Sequence, residues 1–132
     1  MGAWGTGPFD NDDAVDFVRD LAETLPENRI GMLSAALTSA ADNLGYLQVD
    51  DGQAAIAAAA IVAAWTAGRS VDDAPALTGL NPPAVPADLL GAARKALDRV
   101  TGPDSEWRSL WGDDADDVLG VIAEIRSALP EA

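Results

Sequence analysis

The residues in this sequence best able to do chemistry are its clustered aspartates. Asp10-Asn11-Asp12-Asp13, with Asp16 a turn further on, gathers the closely spaced oxygen donors that a hard cation requires. Asp113-Asp114-Ala115-Asp116-Asp117 repeats the pattern near the other end. Both runs have a plainer reading. Asp and Asn are favoured at helix starts, where their oxygens accept orphan backbone N–H groups and their charge faces the positive end of the helix dipole. A calcium loop needs acids at alternate positions and then glycine, and Ala14, Val15 and Phe17 stand in the wrong places. Helix capping is therefore the expected role of both runs. Asp10, Asp12, Asp13 and Asp16 stay as weak metal candidates, and Asp113, Asp114, Asp116 and Asp117 as a candidate interaction surface.

Other chemistry is narrowed by what the chain lacks. It has no histidine and no cysteine, so the commonest general base, thiolate nucleophiles and disulfides are all missing. A carboxylate-pair hydrolase needs two acids about 5–10 Å apart with one pKa raised, and nothing in so acidic a sequence singles out a pair. Gly2, Gly5 and Gly7 invite comparison with a phosphate loop, but no strand precedes them and acids follow. Residues 1–9 read instead as a glycine-rich arm whose Trp4 and Phe9 press onto the core. Trp65, Trp107 and Trp111 each fall on an apolar helical stripe, which favours packing over a binding face. Arg94, Lys95 and Arg99, the densest basic group, are expected to pair with acids of neighbouring helices. No catalytic residue and no cofactor is expected, and the protein is read as a non-enzyme.

The elements that position these groups are organised around Gln53–Gly68, QAAIAAAAIVAAWTAG. It is apolar on every side from Ala54 to Ala67 except at Thr66, the mark of a buried helix. It is too short to span a bilayer, which takes roughly 20 apolar residues. Alanine gives it strong helix propensity and lets neighbours approach closely. Asp50 or Asp51 is the expected cap of this helix, and Gly68 its end.

Before it, Asp10 or Asn11 caps a helix with Ala14, Phe17, Val18, Leu21 and Leu25 on one stripe, and Pro26 stops it. A second helix is expected from Asn28 to Leu44, with Ile30, Leu33, Leu37, Ala40 and Leu44 in its seam and Gly45 as its C-cap. After the central helix, residues 69–86 form a long proline-rich loop, pinned by Val71, Leu77, Leu80 and Val85; loops of that length are often functional. A helix over 87–100 follows, then a short one capped by Asp104 or Ser105 that carries Trp107, Leu110 and Trp111. Gly112 breaks the chain before a last helix opened by Asp113 or Asp114, with Val118, Ile122, Ile125 and Leu129 facing inward. Tyr46–Val49 is the nearest candidate for a strand and is too short to count as one. The expectation is an all-α single domain over 1–132, a bundle of about six helices around a central buried alanine-rich helix.

The net charge of −14, from 22 acids and 8 bases, bears on partners. Nucleic-acid binding depends on neutralising phosphates with Lys and Arg, so nucleic acids and anionic membranes are disfavoured and a basic protein is the expected partner. The opening MGAWGTGPFD has no positive region and no long apolar run, so no secretory leader is expected and the cytoplasm is the expected location.

Trp4-Gly5-Thr6-Gly7-Pro8-Phe9-Asp10-Asn11-Asp12, followed by Ala14 and Phe17, resembles the opening signature of a bacterial domain family of unknown function, number 4259. Tyr46-Leu47 before an alanine-rich helix, Arg99-Val100 at a helix end, and Asp104-Ser105 with Leu110-Trp111 extend the resemblance along nearly the whole chain. Trp4, Gly5, Gly7, Pro8, Phe9, Asn11 and Trp111 are its structural signature. The resemblance implies a fold and residue types but brings no activity, cofactor or partner. The family pattern places acids near Gln48 and Ala60, and their absence here puts shared carboxylate chemistry at those positions in doubt. The leading functional expectation is a non-catalytic, inhibitor- or immunity-like interaction module with an acidic surface. The alternative is a metal-dependent hydrolase or small-ligand binder built on Asp10–Asp16.

Overall fold

The computed structural model describes residues 7–71, 74–78, 80, 82–112 and 115–129. Six α-helices run through them: α1 (Asp12–Glu23), α2 (Arg29–Ala41), α3 (Val49–Thr66), α4 (Ala87–Thr101), α5 (Glu106–Trp111) and α6 (Ala115–Ala128). The described residues form no sheet, and the all-α expectation holds.

α3 is the organising element, and it packs against all five other helices. Ala57, Ala58 and Ala59 are all fully buried. Consecutive helical residues point about 100° apart, so three in a row leave the helix no solvent side at that level. Ile56, Ile61, Val62 and Trp65 fill the remaining space. Gly68 ends the helix as expected: its φ is +72°, its N–H donates to the Trp65 carbonyl at 3.0 Å, and the Arg69 N–H donates to the Ala64 carbonyl at 2.9 Å. Together these make a Schellman cap.

The start of α3 differs from expectation. Neither Asp50 nor Asp51 is its cap; both lie in the first turn, and Gln48 occupies the cap position without a side-chain bond. The Val49 N–H instead donates to Glu106 Oε1 at 2.8 Å, across 57 positions of sequence.

Two apolar stripes were drawn one turn too long. α1 stops at Glu23, and Leu25, forced into extended backbone ahead of Pro26, is 60% exposed. α2 stops at Ala41, so Leu44 is outside the helix and fully exposed, and Gly45 caps nothing. The backbone on both sides of Leu44 is held by Arg99, through the carbonyls of Asn43 and Gly45. The long loop contains one short helical turn, Pro75–Leu77, with Val71 and Leu77 buried and Leu80 and Val85 packed on the core.

Candidate functional site

Local geometry accounts for the described end of the N-terminal arm, residues 7–9. Asp10 turns back on Gly7: its Oδ2 accepts the Gly7 N–H at 3.0 Å, and the Asp10 N–H donates to the Gly7 carbonyl at 3.2 Å. A Cβ at position 7 would stand 2.7 Å from that carboxylate oxygen, so a larger residue there would push the Asp10 side chain off the Gly7 N–H. Asn11, not Asp10, caps α1, its Oδ1 accepting the Ala14 N–H at 2.7 Å. Phe9 is buried as expected. Trp4 and Gly5 lie outside the described residues, as do Asp113 and Asp114. The signature residues Gly7, Pro8, Asn11 and Trp111 meet at a cavity of about 20 Å³, together with Gln53 and Trp107. The ring centres of Trp107 and Trp111 are 6.4 Å apart. Trp65 and Trp107 are core residues, and Trp111 is partly exposed with its Nε1–H buried and unpartnered. Leu110 points outward, 47% exposed.

The basic residues are placed differently from expectation. Among the described residues Arg94 and Arg99 form no ion pair. Arg94 Nη2 donates to the Leu129 carbonyl at 2.6 Å, just past the end of α6. Arg99 donates from all three of its nitrogens: to the Asn43 carbonyl at 3.2 Å, the Gly45 carbonyl at 2.5 Å, Asn43 Oδ1 at 3.4 Å, and the Pro103 and Asp104 carbonyls at 3.1 and 3.2 Å. Arg29 behaves the same way, donating to the Leu21 and Ala22 carbonyls at the end of α1. A planar guanidinium has five N–H groups in a fixed fork, which suits it to gathering several carbonyls at once. Beside Arg99, Leu47 and Ser105 form an isolated parallel bridge: the Leu47 N–H donates to the Asp104 carbonyl and the Glu106 N–H to the Leu47 carbonyl, both at 2.8 Å. Ser105 caps α5 through the Arg108 N–H. Three stretches of the family resemblance, around residues 46–47, 99–100 and 104–105, thus converge on one junction.

The acids form the opposite kind of junction. α1 packs on α3, and Asp13 in the first turn of α1 feels the charges of Asp50 and Asp51 in the first turn of α3 as well as those of Asp12 and Asp16. Partial burial pushes the Asp13 carboxyl above its ordinary value, and Asp50, Asp16, Asp12 and Asp51 push it further. Asp51 is raised by desolvation and by Asp50. The described residues contain two ion pairs, Arg19–Asp16 at 3.5 Å on the surface and Arg126–Asp98 at 2.6 Å, and only the first touches this cluster. Among the described residues no three acids converge closely enough to hold a metal ion. Sequence reasoning missed Asp50 and Asp51 as members because nothing in the spacing reports which helix starts lie together. Asp116 and Asp117 are exposed in the first turn of α6.

A groove of about 440 Å³ lies along α3 and α6, its floor formed by Ala60, Ala63 and Ala64 and its wall by Val121, Ile125 and Ala128. Arg69, Ser70 and Glu124 supply its polar lining, so the long loop contributes to it through its first residues.

The model of a domain family of unknown function, DUF4259, matches residues 2–119. The chain belongs to this family. No curated protein and no solved structure matches it. Family membership agrees with the geometry above, since the positions that carry the resemblance are those that close the arm and the Arg99 junction. Among the described residues no helix is long and apolar enough to cross a membrane.

Proposed function

We propose that this protein is a non-catalytic, cytoplasmic interaction module whose acidic face engages a basic protein, in the manner of an inhibitor or immunity protein masking a basic site. The observation that carries this reading is the aspartate junction at the starts of α1 and α3. Asp12, Asp16, Asp50 and Asp51, from two distant stretches, all act on Asp13, and among the described residues the one ion pair with any of them is Arg19–Asp16. Meanwhile Arg29, Arg94 and Arg99 are engaged by backbone carbonyls. The negative field is left for a partner to neutralise. Such a field speeds encounter with a basic surface and suppresses acidic competitors, an effect that weakens with salt.

The test is affinity capture from a lysate of the source organism, with mass spectrometry, at about 0.01 M and about 0.1 M salt, between which the Debye length falls from about 30 to about 10 Å. A basic protein should be enriched at low salt. Asn at positions 12, 13, 16, 50 and 51 together should abolish its capture, and Asp116→Asn with Asp117→Asn should leave it. Capture insensitive both to salt and to the five-site variant would refute the reading.

A further inference from the structure

Leu44 has all of its side chain in solvent, 102% exposed, and Tyr46, two residues on, is 54% exposed. A single exposed leucine is ordinary on a protein surface. What sets this one apart is how its backbone is held. Arg99 takes the carbonyls of both neighbours, Asn43 and Gly45. Asn43 Oδ1 accepts the Gly45 N–H at 2.9 Å and closes the turn beneath Leu44. One residue past Tyr46, Leu47 is buried and bonded in both directions to the 104–106 stretch. Asp104, which receives two of these bonds on its carbonyl, sits at φ +56°, a left-handed conformation that Asp tolerates better than most residues. The tip is therefore rigid on both sides, and its apolar side chains face outward.

We propose that Leu44 and Tyr46 are the apolar anchor of a docking surface for a basic protein segment, with Asp42, Asp50, Asp51 and Asp104 as its acidic rim. Anchors that enter a partner's pocket bind best when already ordered, because little conformational freedom is lost on contact. The choice of a basic occupant rests on the acidic-surface reading above. Three residues separate Tyr46 from Asp50, so the anchor leads directly into the aspartate junction. A second copy of a chain carrying −14 would be repelled, as would an anionic membrane. The matching segment pairs one or two large apolar residues with flanking Lys or Arg.

Two synthetic peptides of equal length and charge test this, one of Lys and Leu in an amphipathic pattern, the other with Ser for every Leu. Each is titrated into the isotope-labelled full chain at low salt and followed by NMR. The leucine peptide should bind at least about tenfold tighter, as burial of a large apolar side chain implies. Its largest shifts should fall at Leu44, Tyr46, Asp50 and Asp51. Leu44→Ser, at a position that touches no core, should keep the spectrum elsewhere and reduce the leucine peptide to the affinity of the serine peptide. Equal, salt-sensitive binding of both peptides would overturn the anchor and leave the acidic surface standing. Failure of both to bind would overturn both readings. Tight binding with shifts centred on Leu110 or the α3–α6 groove would overturn the anchor at this tip.

Discussion

At the Arg99 junction, segments far apart in sequence meet around one guanidinium whose nitrogens all donate to backbone or amide oxygens. At the starts of α1 and α3, segments also far apart in sequence meet around Asp13, and the groups they bring raise its pKa. Both are loop-and-helix-start junctions on the same central helix. One satisfies its charge internally and fixes backbone; the other concentrates charge that the fold itself opposes. The contrast separates architecture from surface. The residues that close the Arg99 junction hold the chain together, whereas Asp12, Asp13, Asp50 and Asp51 gain from the helix starts they occupy and lose from one another's charge.

The sharpest way to break this comparison is Arg99→Ala. It strips the Asn43, Gly45, Pro103 and Asp104 acceptors of a charged donor and should cost about 3 kcal/mol in chemical denaturation, since bonds to charged groups are worth roughly 1.5–3 kcal/mol. Arg99→Lys should recover less than half, because an ammonium cannot reproduce the fork. A loss below about 0.5 kcal/mol for Arg99→Ala, the range of ordinary surface changes, would show that the junction is ornamental.

Glu106→Ala should cost about 1 kcal/mol, the usual worth of a helix cap, and should increase amide exchange at Val49. If exchange at Val49 stays unchanged, α3 is capped by other means.

The acidic junction predicts the opposite sign. Sodium chloride raised from about 0.01 to about 0.1 M should stabilise the protein by up to about 1 kcal/mol, because screening relieves repulsion among the acids. Calcium at matched ionic strength should do no more. A calcium-specific gain that disappears in Asp12→Ala would point to a bound ion, since a ligand adds its own binding free energy.

The smallest effect is Asp13→Asn, expected to stabilise at neutral pH by a few tenths of a kcal/mol, the scale of removing like-charge neighbours. Its pH dependence identifies the cause. Asp13 and Asp51 hold protons more tightly folded than unfolded, so their protonation favours the fold. Stability from these groups is fully present below the ordinary value of 3.8 and is lost as pH rises through their raised values. Asp13→Asn should flatten that loss. An unchanged difference from wild type between about pH 3 and pH 7 would remove the electrostatic explanation.

How much of this was legible in the sequence follows from what each feature depends on. The all-round apolar run disclosed α3, because burial on every side leaves a compositional mark. Asn11, Ser105 and Gly68 were legible because caps act within a few residues. Leu44 misled, since its 3-4 spacing from Leu37 and Ala40 continues a helix that the structure ends at Ala41. The turn beyond it is held by a guanidinium 56 positions away, and periodicity carries no trace of that. The meeting of Asp13 with Asp50 and Asp51 depends likewise on how two helices pack, so one acidic cluster was read where two segments combine.

The bond between Val49 and Glu106 has a consequence in time. All of α3, which ends at Thr66, is synthesised before Glu106, the residue that accepts the Val49 N–H 57 positions on. The alanine run can coil within about a microsecond, but its first turn must wait for α5 to arrive and close that long loop. Closing that loop has an entropic cost that the Val49–Glu106 bond offsets only once its two ends have met. Substitutions in the alanine run should act on how long the folded molecule survives. Substitutions at Leu47, Ser105 or Glu106 should act on how soon it forms.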